Sequence, residues 1–125
     1  MLLKKFIIYF GALKEEKFLG YELVESMQTL PVKISGDSMW PNFIDGEVIN
    51  FHKYHGEPID VGDVIVFPNP FNTQILLVKR VVNINDNMCV VEGDNPDPTA
   101  STDSHNFGPI DISSIVAFRH NHIAE

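Results

Sequence analysis

Pro31 divides the chain into two kinds of sequence. Over residues 2–29, Leu13, Leu19, Leu23, Val24 and Met27, with Leu30 just beyond, fall at spacings of three and four, which suits an amphipathic helix or pair of helices. From Pro31 onward the pattern changes to short β-branched runs separated by turn residues. This predicts a helical segment over residues 1–30 and a mainly β domain over residues 31–125. Strands are expected at residues 32–35, 47–52, 63–67, 74–84, 88–92 and 115–119, sequential and antiparallel. Asp45-Gly46, Val61-Gly62-Asp63, Pro68-Asn69-Pro70 and Asp86-Asn87 supply the turns between them. Residues 93–109 make a long polar loop, and a loop of that length in a compact domain is functional or disordered.

The 125 residues, 44% hydrophobic and 21% charged, suffice for one compact domain with a core and not for two. A net charge of -8 without a basic patch argues against nucleic acid and against anionic membrane surfaces, which would repel the chain. Cys89 is the only cysteine, so no internal disulfide forms and a reducing, cytoplasmic location fits best. Within Met88-Cys89-Val90-Val91 it reads as a small buried apolar residue. Lys4-Lys5 and the apolar residues 6–13 briefly resemble a signal peptide, but charged residues 14–17 follow at once and no small-x-small cleavage site is present. A spanning helix needs about 20 apolar residues. Export and anchoring are therefore not expected, and contact with a membrane face would fall to residues 2–13.

Two residues carry the chemistry. Ser38 lies in Ile34-Ser35-Gly36-Asp37-Ser38-Met39-Trp40-Pro41, and Lys79 sits within the apolar run Ile75-Leu76-Leu77-Val78-Lys79-Arg80-Val81-Val82. A serine hydroxyl is a poor nucleophile until a base takes its proton, and a lysine serves as that base only where its surroundings favour the neutral amine. Leu76, Leu77, Val78, Val81 and Val82 offer such surroundings. Taken singly, Ser38 also reads as a turn serine, Lys79-Arg80 as a strand charge pair that discourages aggregation, and Ser101 as a loop hydroxyl. His52 and His55 flank an expected loop, and His120 and His122 lie in the tail; without further ligands no metal site is expected of them.

The chain resembles the signal peptidase I family of serine/lysine peptidases in three ordered blocks. The first is Gly36-Asp37-Ser38-Met39-Trp40-Pro41 with residues 45–49, similar to the block that presents the nucleophile. The second is Gly62-Asp63-Val64-Ile65-Val66-Phe67 leading to Val78-Lys79-Arg80-Val81-Val82, like the block that carries the base. The third is Glu92-Gly93-Asp94-Asn95 with Ser101-Thr102-Asp103-Ser104 and Phe107-Gly108-Pro109. The resemblance implies an antiparallel coiled sheet or partly open barrel. It also implies that Ser38 attacks the scissile carbonyl, that Lys79 takes its proton, and that Ser101 orients the lysine amine. The Ser38 N–H is the expected first donor to the oxyanion. Gly36 stands where some relatives place an assisting serine, so the second donor there stays open. Arg80, with Asp94 or Asp103, supports the loop beside the lysine; His105 replaces a usual arginine and weakens the bond to Asp103. Met39 and Trp40 are expected in packing and in the wall of the substrate cleft.

Among relatives, the short connection between the second and third blocks and the Gly-Asp-Asn-Pro stretch are most similar to the nickel-type superoxide dismutase maturation proteases. That resemblance implies removal of a leader from the dismutase precursor, with no cofactor in the peptidase. The alternatives are a membrane-peripheral signal peptidase of broader specificity, a self-cleaving relative of the LexA type, and a catalytically silent module that binds an extended peptide by strand addition.

Overall fold

The computed structural model describes residues 28–120. Seven strands form one sheet: β1 (Thr29–Lys33), β2 (Val48–Lys53), β3 (Val64–Asn69), β4 (Asn72–Asn85), β5 (Met88–Glu92), β6 (Ile110–Asp111) and β7 (Ala117–Arg119). A single short helix, α1 (Ser104–Phe107), lies among the described residues, with 3-10 turns at Pro98–Ala100 and Ile112–Ser114. The fold is mainly β, as the turn-punctuated pattern predicts. The sheet order is β1-β2-β7-β3-β4-β5-β6, every pairing is antiparallel, and β1 and β6 leave the sheet unclosed.

Two expectations need correction. The helical segment foreseen over residues 1–30 lies mostly outside the described residues, but its last two, Thr29 and Leu30, already belong to β1. Gln28, the first described residue, is still helical, and the change to strand comes at Thr29, ahead of Pro31. Pro31 sits inside β1 opposite Asn50, and among the described residues β1 has only β2 beside it, so the missing proline N–H interrupts no ladder there. The strands are also not sequential throughout, because β7 inserts between β2 and β3: Ala117 pairs with Lys53 on one side and Val66 on the other. Burial drives this insertion, since Ala117 and Phe118 are buried and need cover on both edges and faces.

β3 is the hub of the core. Its Val-Ile-Val-Phe run is buried on both faces, Ile65 and Phe67 in one cluster with Val81, Cys89, Val91, Ile115 and Phe118, Val64 and Val66 in a second with Ile34, Met39, Phe43 and Phe51. Continuous burial explains why β3 reads as an uninterrupted apolar run while β2 alternates. Cys89 is fully buried, as its apolar setting predicts.

The 14-residue β4 positions the site. Its first part pairs with β3 and its last part, from Arg80 on, with β5. Residues 74–79 consequently have a strand on one side only among the described residues. Among the described residues, β1 pairs with β2.

Candidate active site

The Ser38 turn and Lys79 meet at one cleft. A cavity of about 340 Å³ is walled by residues 30–35, Ser38, Met39 and residues 76–79, so the turn before β2, the β1 edge and the open side of β4 enclose it. Leu30, Val32, Leu76 and Val78 give it an apolar lining. Met39 is buried in the core and also reaches the cleft, whereas Trp40 is 48% exposed and lies outside it.

Lys79 is 3% exposed, although its strand neighbour Leu76 is half exposed. Burial pushes its amine below the usual lysine range, against the opposing pull of the Asp103 and Asp94 carboxylates. It forms no ion pair among the described residues. Alternation along β4 sends Arg80 to the opposite face. There Arg80 Nε and Nη2 reach the Asp94 carboxylate at 2.8 and 2.7 Å, and Nη1 donates to the Gly62 carbonyl at 2.8 Å. Of the two partners foreseen for Arg80, Asp94 is the one in contact. Asn42 Nδ2 also donates to Asp94, at 2.9 Å, which ties this pair to the segment that follows Ser38.

The third block closes over the first two. Asn95 N–H donates to the Ser38 carbonyl at 3.0 Å and Asn95 Nδ2 to the Asp37 carbonyl at 2.9 Å. Gly93 lies where a Cβ would come within 2.6 Å of both the Ser38 carbonyl oxygen and Ser101 Oγ. The Ser101 hydroxyl donates to Asp103 Oδ2 at 3.2 Å, and Gly93 N–H reaches the same oxygen at 3.3 Å. Asp103 caps α1, and its Oδ1 accepts from the His105 N–H and lies 2.9 Å from His105 Nδ1. Burial pushes the Asp103 carboxyl up, but the bonds from His105, Gly93 and Ser101 outweigh it and hold the pKa below the usual carboxylate range. The hydrogen bond to Asp103 and its charge raise the His105 ring above an ordinary histidine, with Glu92 at 3.7 Å adding to the effect.

Not every candidate gathers at the cleft. Gly36, at φ 88° and so in a region that favours glycine, gives its N–H to Asp45 Oδ1 at 2.7 Å and does not line the cavity. Ser101, Asp94, Asp103 and His105, with Gly93 between them, line a second, more polar hollow of about 440 Å³ and not the cleft that holds Ser38 and Lys79. Asn42 and Asn95 carry contacts that sequence reasoning did not assign; Asn95 stood inside a quoted motif, while nothing in the sequence marks Asn42. Away from the cleft, Asp60, Asp63 and His120 bring ligand atoms within 4.8 Å of one another. Asp63 is buried there and accepts the Asp60 N–H at 2.9 Å, which is the pattern of a turn cap before β3.

No helix among the described residues is long and apolar enough to cross a membrane. No curated protein matches the chain. Residues 18–90, more than half of the chain and a span that includes both Ser38 and Lys79, match the family described as signal peptidase, peptidase S26. With that match covering more than half of the chain and a mainly β fold around it, the chain belongs to the signal peptidase S26 family of serine peptidases.

Proposed function

We propose that this chain is a serine endopeptidase in which Ser38 is the nucleophile and Lys79 the general base, and that it removes an N-terminal leader from a precursor protein in the cytoplasm. The observation that carries the reading is that Ser38 and a buried Lys79 with a lowered pKa line the same apolar cleft. Burial disfavours the ammonium, so a larger share of the amine is neutral and able to accept a proton near physiological pH. Ser38 Oγ then bonds to the scissile carbonyl carbon as its proton passes to Lys79 Nζ. The tetrahedral oxyanion is met by the Ser38 N–H. On collapse, Lys79 returns the proton to the departing amine and leaves an ester on Ser38. Water, giving a proton to the same lysine, then bonds to the ester carbon; the Oγ–acyl bond breaks as Lys79 passes that proton to Ser38 Oγ, and the acyl half leaves as a carboxylic acid.

Ser101 acts through the lysine. Because its hydroxyl proton is given to Asp103, its lone pairs remain to accept an N–H of the Lys79 amine, leaving the nitrogen lone pair for Ser38. The substrate lies extended beside the cleft along residues 74–79 of β4, which have a strand on one side only among the described residues and can take another there. The chemistry uses no metal.

The substrate favoured by the Gly-Asp-Asn-Pro and Ser-Thr-Asp-Ser blocks is a nickel-type superoxide dismutase precursor. Intact-mass analysis of that precursor, incubated with the intact protein, Ser38→Ala and Lys79→Ala, tests both parts. One leader cut made only by the unaltered protein supports the dyad and the substrate. No cut rejects this precursor, and cutting that survives Ser38→Ala rejects the mechanism.

A further inference from the structure

We infer that Asn95 is a positioning residue that aims the Ser38 N–H at the oxyanion by clamping the peptide unit between Asp37 and Ser38. This inference rests on the peptidase reading above. Asn95 makes three bonds that together fix both its own amide and the turn: Nδ2 donates to the Asp37 carbonyl at 2.9 Å, its N–H donates to the Ser38 carbonyl at 3.0 Å, and its Oδ1 accepts the Asp97 N–H at 2.8 Å. The last bond sets which end of the side-chain amide faces Asp37, because only Oδ1 can accept from a backbone N–H.

The Asp37–Ser38 peptide is trans, so its carbonyl and its N–H point in opposite directions across one rigid plane. Holding the Asp37 oxygen toward Asn95 turns the Ser38 N–H away from the third block. A second bond, from the Trp40 N–H to the same oxygen at 3.1 Å, keeps the plane from rolling within the turn. The Ser38 N–H itself makes no hydrogen bond to any described residue. A fixed, unspent donor beside the nucleophile is what stabilisation of a developing oxyanion requires, since it needs no reorganisation during the reaction. With Gly36 N–H already given to Asp45, the orientation of the Ser38 N–H matters more.

Asn95→Asp is the sharpest probe. It keeps the shape and the acceptor for Asp97 N–H but sets an oxygen against the Asp37 carbonyl, so the clamp is lost; Asn95→Ala removes it without adding charge. Both variants should lower kcat about tenfold to a hundredfold, with KM changed less than about twofold, because the interaction acts on charge that exists only in the transition state. Affinity for an alanyl peptide boronic acid, whose adduct with Ser38 is tetrahedral and anionic, should fall in proportion. Binding of an uncleavable substrate peptide should not change. A KM effect with kcat intact, or boronate affinity equal to that of the unaltered protein, overturns the inference.

The Ser38 amide resonance gives a reading without turnover. In 15N NMR spectra it should shift and exchange faster in both variants while the core resonances of β3 stay in place. An unmoved Ser38 resonance overturns the clamp whether or not any substrate is cut. A resonance that moves as expected, in a protein that shows no Ser38-dependent cleavage and forms no boronate adduct, instead overturns the peptidase reading on which the kinetic role depends.

Discussion

Gly93 stands so close to Ser101 that a Cβ on it would sit 2.6 Å from the Ser101 hydroxyl oxygen. The same Cβ would meet the Ser38 carbonyl at 2.6 Å, so position 93 can lie between Ser101 and the Ser38 turn only with no side chain. Gly93→Ala should therefore part Ser101 from Ser38, lower peptidase activity at least tenfold, and cost about 1–3 kcal/mol of stability as an overpacked contact. Urea unfolding and cleavage rate on the same variant check both. An alanine variant with an unchanged midpoint would show that the backbone yields there.

The Arg80–Asp94 pair is buried, with side chains 11% and 9% exposed, and it joins β4 to the block that follows β5. Leaving one member without the other strands a charge in the interior, which costs about 3–5 kcal/mol. Arg80→Met or Asp94→Leu alone should lose stability on that scale, and the double variant should lose clearly less than the two together. Arg80→Lys should not rescue, because a lysine lacks the fork that reaches both carboxylate oxygens and the Gly62 carbonyl. A double-mutant cycle in urea measures the coupling; strict additivity would mean that the pair contributes nothing to holding the loop.

Much of this was legible in the residues. Asp45-Gly46 and Asp86-Asn87 marked turns by their chemistry, and the structure has Gly46 at φ 89° and Asp86 at φ 56°, the left-handed backbone such residues tolerate. The apolar setting of Lys79 foretold its burial, because a strand with β-branched and leucine neighbours has to bury something at that position. What local pattern cannot convey is partner choice between distant segments. Nothing near Ala117 says that β7 lies between β2 and β3, and nothing near Thr29 says that a proline two residues later will be accepted at a sheet edge. The region 93–109 reads in sequence as a long polar loop, functional or disordered, because its order comes from side-chain caps at Asp97 and Asp103 rather than from a hydrophobic period.

Lys79 links activity to stability through one proton. Its pKa is lowered in the folded chain relative to 10.5, so between the two values the unfolded state binds more protons and stability rises with pH. The burden is fully present below the folded pKa and fades as pH climbs through that value toward 10.5. Lys79→Met should accordingly be inactive yet more stable at pH 7, by about 1 kcal/mol, and should lose most of that advantage near pH 10.5. In the unaltered protein, kcat/KM should rise with pH along a limb whose midpoint lies below the ordinary lysine value. Urea midpoints at several pH values, beside a pH–rate profile, test the pair of claims. A variant less stable at pH 7 than the parent would show that Lys79 is well solvated or well paired in the folded chain.

His105 should tune that same base from outside the cleft. Its ring lies against Asp103 and near Glu92, and Asp103 in turn is one of the carboxylates that raise the Lys79 pKa. While His105 is protonated it offsets the Asp103 charge; once neutral, it leaves that charge to favour the lysine ammonium. The folded His105 pKa is raised above 6.5, so its contribution to stability is fully present below 6.5 and is lost as pH rises through the folded value. Asp103 sets the lower limit, because its carboxyl is held below 3.8 and the pair fails as acid protonates it. His105→Ala should lower the urea midpoint at pH 6 and leave it unchanged at pH 9. His105→Arg keeps the positive charge at every pH, so it should move the rising limb of the pH–rate profile to lower pH, while His105→Ala should move it to higher pH below the His105 pKa only. Identical profiles for all three proteins would sever His105 from the lysine and leave Asp103 as a helix cap alone.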